Sequence, residues 1–255
     1  MARPWLRPFL LVYSIYAMIL FVVLMLILFP FVILASFFGR IRGGNLIFRI
    51  CSVWADSWFA LVFIIPRKIY ESPHDKQRQY IFLSNHISYL DAAILPIAYR
   101  QPVRPLGKIE LSRVPMFGFI YRKAIVTVDR SSTANRTRSM LIMQSIIAKG
   151  ISVLVFPEGT FNMGTDPLKE FYNGAFRLAI ETQTPIKPVL FLDNYSRMHY
   201  SGLFRMTPGR CRIVYMDEIP VLGLTSADLP QLKQKVFELM SARLKFYKAA
   251  WIGDR

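Results

Sequence analysis

From Phe9 to Phe38 the chain carries no charged side chain. As one helix these 30 residues would reach about 45 Å, against a hydrocarbon core of about 30 Å, so the segment can span a membrane with residues to spare. A secretory signal would have an apolar region of only about 7 to 15 residues and a small-residue cleavage site, and neither is evident. The fold must therefore accommodate an apolar N-terminal helix beside whatever follows it.

A second apolar stretch, Asn45 to Ile65, is interrupted by Arg49 and Asp56, each costly at the centre of a bilayer, and is a poor independent span. Basic residues flank every boundary: Arg3 and Arg7, then Arg40 and Arg42, then Arg67 and Lys68. A two-span hairpin would strand one of these clusters on the wrong side. Two helices that enter one leaflet and return, bending near Pro30, would keep all three on the cytoplasmic face against anionic headgroups. A single span and a re-entrant or interfacial pair both stay open, and either sets the remaining domain against the membrane.

Lys and Arg number 32 against 16 Asp and Glu, a formal charge of +16 that calls for an anionic partner. The basic residues are scattered and lack the aromatic spacing of a nucleic-acid module, so membrane lipid rather than nucleic acid is the expected partner. Cys51 and Cys211 form no C-x-x-C pair, which suggests neither a zinc site nor a disulfide framework and is compatible with a reducing compartment.

Past Pro73 short β-rich runs alternate with helical stretches. The expected strands are Tyr80 to Ser84, Ala124 to Val128, Ile151 to Phe156, Ile186 to Phe191 and Cys211 to Met216. The expected helices are Asp91 to Tyr99, Thr133 to Lys149 with Gly150 as a stop, and Tyr172 to Thr182. Near the C-terminus Leu232, Val236, Leu239, Met240 and Leu244 recur at helical spacing. The fold class is α/β, a mixed sheet flanked by helices, with attachment helices over residues 1–70 and the globular domain over residues 71–255.

The first strand ends in Asn85-His86-Ile87-Ser88-Tyr89-Leu90-Asp91, which puts an imidazole and a carboxylate where α/β sheets gather their functional groups. Imidazole can take a proton from an alcohol near neutral pH, and a carboxylate on its other nitrogen fixes the tautomer and stabilises the imidazolium. The competing reading makes Asp91 a helix cap and His86 a turn residue. No G-x-S-x-G elbow, nearby Cys or H-E-x-x-H is present, so a covalent nucleophile or a metal is not indicated, and the base would act directly on a substrate hydroxyl. Two further groups draw notice. Phe156-Pro157-Glu158-Gly159-Thr160 turns sharply after a strand, and Gly107-Lys108-Ile109-Glu110-Leu111 leads on to Val128-Asp129-Arg130, whose guanidinium could grip an anion.

Together these blocks, with Pro185-Ile186-Lys187-Pro188-Val189-Leu190, resemble the glycerolipid acyltransferase family typified by 1-acyl-sn-glycerol-3-phosphate acyltransferase, in family order over roughly Tyr80 to Leu192. The resemblance implies that residues 71–255 are an acyltransferase domain in which His86 abstracts the acceptor's hydroxyl proton and Asp91 holds His86. The alkoxide then attacks the thioester of acyl-CoA or acyl-carrier protein, a co-substrate, with no cofactor. Lys108 and the Gly159 backbone are the candidate oxyanion donors, and Glu158 and Thr160 position the turn.

The family usually has Arg after E-G-T and often Lys before G-A-F, where this chain has Phe161 and Tyr172. Recognition of the acceptor's phosphate then leans on Arg130, aided by Lys169 or Arg177. The implied reaction is acylation of lysophosphatidate to phosphatidate in membrane phospholipid biosynthesis, on the cytoplasmic face. Acylation of a lyso-aminoacyl lipid is the alternative acceptor chemistry, and a catalytically silent membrane-binding protein is the alternative of another class.

Overall fold

A computed structural model describes residues 6–128 and 133–253. The uncharged run forms a single helix, α1 (Arg7–Ser36), which passes through Pro30 unbroken. The chain reverses instead at Gly39, whose φ of +76° a side chain would strain, and a π-helical turn over Gly39–Gly43 leads into α2 (Gly44–Leu61). Buried Arg104 holds this turn, donating through Nη2 to Asn45 Oδ1 at 2.8 Å and to Ile41 O at 3.3 Å.

The two helices pair as an antiparallel hairpin. Tyr13 Oη donates to Val62 O at 2.5 Å, and Trp58 Nε1 donates to Ala17 O at 2.8 Å. Only 11% of the most apolar window of α1 is buried, and its length and composition suffice to cross a membrane. By contrast, α2 is amphipathic: Ile47, Ala55, Trp58 and Phe59 are buried in the body of the protein.

After α2 the elements are β1 (Ile64–Tyr70), β2 (Ile81–Leu83), α3 (Leu90–Ala98), β3 (Val103–Lys108), α4 (Phe117–Ala124), β4 (Val126–Val128), α5 (Thr133–Ile147) and β5 (Ser152–Val155). They continue with α6 (Gly174–Thr182), β6 (Ile186–Phe191), α7 (Asn194–Arg197), β7 (Gly209–Tyr215) and α8 (Leu229–Phe246). Among the described residues the strands form one sheet in the order β1-β7-β6-β2-β5-β3-β4. Only the β6–β7 pairing is antiparallel, so the sheet is mixed, as expected.

The period of two along each strand sorts side chains between two cores. Ile81, Leu83, Val153 and Val155 face α5, α6 and α8 with Phe176, Val236 and Trp251. Phe82, Leu154, Val189 and Phe191 face the other way, onto Trp58, Phe59, Leu90 and Ile94 of α2 and α3. The attachment helices thus complete one of the two helical layers of the domain.

All five expected strands form, within two residues at each end, and two more join them. β1 carries Pro66, Arg67 and Lys68 and sits at the sheet edge, where such residues are tolerated. β3 carries Pro105 and Gly107 and divides its pairing, Val103 to Pro105 with β5 and Leu106 to Lys108 with β4. A side chain at Gly107 would collide with Tyr121 Oη, so the strand passes there without displacing the tyrosine only as glycine.

Candidate active site

Leu83 of β2 stands opposite Val155 of the parallel neighbour β5, so the loops leaving the two strands begin side by side. Three residues further on they carry His86 and Glu158. The side chain of Asn85 ends β2 by replacing backbone in the ladder: Nδ2 donates to Phe191 O at 2.9 Å, and Oδ1 accepts from Phe191 N at 2.8 Å. The main chain is thereby released from the sheet and turns His86 outward.

Asp91 lies in the first turn of α3, is fully buried, and accepts four hydrogen bonds. Its Oδ2 receives His86 Nδ1 at 2.9 Å, Ile87 N at 2.7 Å and Ser88 N at 2.9 Å. Its Oδ1 receives Asn194 Nδ2 at 2.6 Å, and Asn194 Oδ1 in turn accepts from Cys211 Sγ at 2.7 Å. A buried carboxylate is costly unless its oxygens are bonded, and here both are. An ionised carboxylate only accepts, so the shared proton is assigned to His86 Nδ1, and in the neutral imidazole Nε2 is then the acceptor.

The P-E-G-T turn clamps the histidine from the other side. Glu158 Oε1 accepts from His86 N at 2.8 Å, Glu158 Oε2 accepts from Lys169 N at 2.9 Å, and Asn162 N donates to His86 O at 2.8 Å. Burial pushes the Glu158 carboxyl up to about 7, against two backbone N–H bonds that favour its charged form. Gly159 takes φ +72° to close the turn, and its N–H donates to Phe156 O at 3.0 Å. Thr160 Oγ1 accepts from Lys169 Nζ at 2.7 Å. The His86 ring stacks on Phe156 at 4.2 Å between centroids and meets Phe161 edge-on at 4.4 Å.

An apolar cavity of about 470 Å³ opens between α1, α2, α3 and α4 beside this loop. Tyr89 and Ala92, at the start of α3, line it together with Met25 and Leu28 of α1, Trp54 of α2 and Ile120 of α4.

Of the expected site residues, His86, Asp91, Glu158, Gly159 and Thr160 come together around one loop pair. Lys108 ends β3 opposite Val128 and is exposed. Arg130 lies outside the described residues. The sequence pattern alone gives Asn85 and Asn194 no role. Asn85 stands beside His86 in the motif, but Asn194 is 103 residues from Asp91 and nothing local marks it.

Residues 66–192 match the family described as Acyltransferase. Human 1-acyl-sn-glycerol-3-phosphate acyltransferase alpha is 32% identical over 161 residues, which are 62% of this chain and 56% of that protein. The 1-acyl-sn-glycerol-3-phosphate acyltransferase of Limnanthes alba is 32% identical over 71% of this chain and 62% of its own length. That of Haemophilus influenzae is 28% identical over 68% of this chain and 72% of its own. This chain thus spans a little over half the length of its human relative. The crystal structure of the 1-acyl-sn-glycerophosphate (LPA) acyltransferase PlsC from Thermotoga maritima superposes with a TM-score of 0.74, covering 95% of this chain and 99% of that one at 21% identity, and so shares the fold. The family-matched stretch, residues 66–192, holds most of the mixed sheet and the loop pair in which His86 and Asp91 meet, behind an apolar helix pair. The chain belongs to the Acyltransferase family.

Proposed function

We propose that the chain is an O-acyltransferase that moves a fatty acyl group from the thioester of acyl-CoA or acyl-carrier protein to the free hydroxyl of a lysophospholipid, 1-acyl-sn-glycerol-3-phosphate above others. The observation that carries this reading is the hydrogen bond between His86 Nδ1 and Asp91 Oδ2 beside an apolar cavity of about 470 Å³. An acyl chain needs such a cavity, and a hydroxyl needs such a base.

In the reaction, His86 Nε2 takes the acceptor's hydroxyl proton as the oxygen attacks the thioester carbonyl, and Asp91 stabilises the imidazolium. The tetrahedral oxyanion is met by a donor, with Lys108 as the candidate because the Gly159 N–H is committed to Phe156 O. As the C–S bond breaks, the proton passes from His86 to the thiolate, and an ester and a thiol leave. Arg130 and Lys169 hold the acceptor's anion.

The attachment segment, residues 1–70, fixes the acyltransferase domain, residues 71–255, to the cytoplasmic face of a membrane. The exposed apolar flank of α1 supports this, as do the basic residues at the hairpin turn. A second acceptor class, a lyso-aminoacyl lipid, is favoured by one observation: the position after E-G-T holds Phe161, packed on His86, rather than a cation.

Purified protein offered an acyl thioester with lysophosphatidate, or with a lyso-aminoacyl lipid, tests both readings by mass spectrometry of the products. Phosphatidate formation supports the first. Acylation of the aminoacyl lipid alone replaces it with the second, and failure to consume thioester with either refutes the enzyme reading.

A further inference from the structure

Resting on the acyl-transfer reading, we propose that Phe161 shields His86 from water and so directs the acyl group to the lipid hydroxyl rather than to hydrolysis. An imidazole that takes a proton from an alcohol takes one equally from water, which is in large excess wherever it can reach. With the acceptor, the O–H proton goes to His86 Nε2, the O–C bond forms, the C–S bond breaks, and the products are an ester and a thiol. With water in the acceptor's place the same steps give a free fatty acid and a thiol. The base cannot tell the two apart, so the discrimination must come from what surrounds it.

The His86 side chain is 22% exposed, so water can reach this loop. Phe156 covers one face of the imidazole, with centroids 4.2 Å apart and planes at 18°. Phe161 closes against the ring at 66°, with centroids 4.4 Å apart, and is itself buttressed by Tyr89 at 4.9 Å. Tyr89 also lines the apolar cavity, so an apolar rim runs from the cavity to the base.

Phe161 does not rest there by chance. Glu158 takes the main-chain N–H of His86 and Asn162 takes its carbonyl, so the residues on either side of Phe161 are fastened to the histidine it covers. The loop delivers one aromatic ring to one imidazole, in a fixed register. A cation in the same place would carry its own hydration to the base.

The test uses the full chain in detergent or lipid nanodiscs, with palmitoyl-CoA as donor and lysophosphatidate as acceptor, following thiol release and ester formation together. F161A is expected to raise the share of released thiol that yields free fatty acid by roughly tenfold, the change that about 1.4 kcal/mol of lost discrimination produces. F161L, which keeps apolar bulk, should stay near the wild-type share. A purely structural role for Phe161 would lower both products together and leave the ratio alone. An unchanged ratio in an F161A protein that still makes ester overturns the proposal, and so does an F161L protein that leaks as much as F161A. If F161A does not fold, F161Q, of similar reach but able to bond water, carries the same expectation and the same refutation. A wild-type protein that consumes no thioester instead refutes the enzyme reading beneath the proposal.

Discussion

Glu158 Oε1 accepts the main-chain N–H of His86 at 2.8 Å, so a buried carboxylate whose pKa lies near 7 grips the backbone of the proposed base. The neutral form of Glu158 is favoured by burial, and the folded protein therefore holds this proton to higher pH than the unfolded chain, whose carboxyl titrates near 4.5. The Glu158 contribution to stability is full below about 4.5 and is lost as pH rises through about 7, an effect on the order of 3 kcal/mol. Glu158→Gln should flatten the decline in thermal midpoint between pH 5 and 8. An equal slope in the two proteins would show that Glu158 does not carry it.

His86→Ala should lower acyl transfer by ~10²- to 10⁴-fold, the usual loss when a general base is removed, while leaving the protein folded. Asp91→Asn should also fall steeply, because an amide cannot stabilise an imidazolium as a carboxylate does. Turnover like wild type in either variant contradicts the proton-transfer scheme.

Asn194 reaches the same pair from α7. Asn194→Leu removes the donor to Asp91 Oδ1 and the acceptor for Cys211 Sγ, stranding two buried polar atoms. Each stranded partner costs about 1 to 3 kcal/mol, so a measurable drop in thermal midpoint is expected together with reduced kcat and a nearly unchanged KM. Unaltered stability would show that water replaces the amide.

The two halves of this constellation differ in how visible they are in sequence, and the reason is separation along the chain. His86 and Asp91 are five residues apart after a strand, so their meeting needs only a turn and a helix start. The capping reading does not describe Asp91: α3 starts after Tyr89 with no side-chain cap, and Asp91 Oδ2 accepts from Ile87 and Ser88, which precede the helix, and from His86. Glu158 could be placed at a strand end, but its grip on His86 depends on β2 and β5 being neighbours, which strand patterns alone do not reveal. Asn194 depends on the return of α7 beneath α3, a purely tertiary fact. The helix pair was half legible: its apolar length was plain, while the turn at Gly39 rather than Pro30 follows from a positive φ and from Arg104, 59 residues from Asn45.

Deleting residues 1–65 should do more than detach the domain from membranes. Trp58 and Phe59 of α2 pack in the same core as Phe82, Leu154 and Phe191, and Ile64 begins the pairing of β1 with β7. Their loss uncovers the part of that sheet face that α2 covers, leaving α3 on it, and large exposed apolar faces drive association. The expected product is aggregated on size-exclusion chromatography even in high salt. A monodisperse, folded remainder would show that the helix pair is an appendage rather than a layer of the domain.

The acceptor's anion tests the remaining part of the proposal. Phe161 and Tyr172 stand where the family usually carries cations, and Lys169, absent from that pattern, sits with Nζ 2.7 Å from Thr160 Oγ1 on the turn that clamps His86. Its backbone N–H shares the Glu158 carboxylate with His86, which puts its main chain within one side chain of the base. Lys169→Ala and Arg130→Ala should each raise the KM for lysophosphatidate far more than the KM for the acyl donor, since a charge-assisted contact to phosphate serves the acceptor alone. Arg130→Lys should recover only part of the loss, because an ammonium lacks the planar fork, whereas Lys169→Arg should recover most of it. Measured against a lysolipid without a phosphomonoester, both alanine variants should behave like the parent. If instead each variant raises the KM of every acceptor equally, the two cations shape the site rather than read the phosphate, and the lyso-aminoacyl lipid becomes the better-supported acceptor.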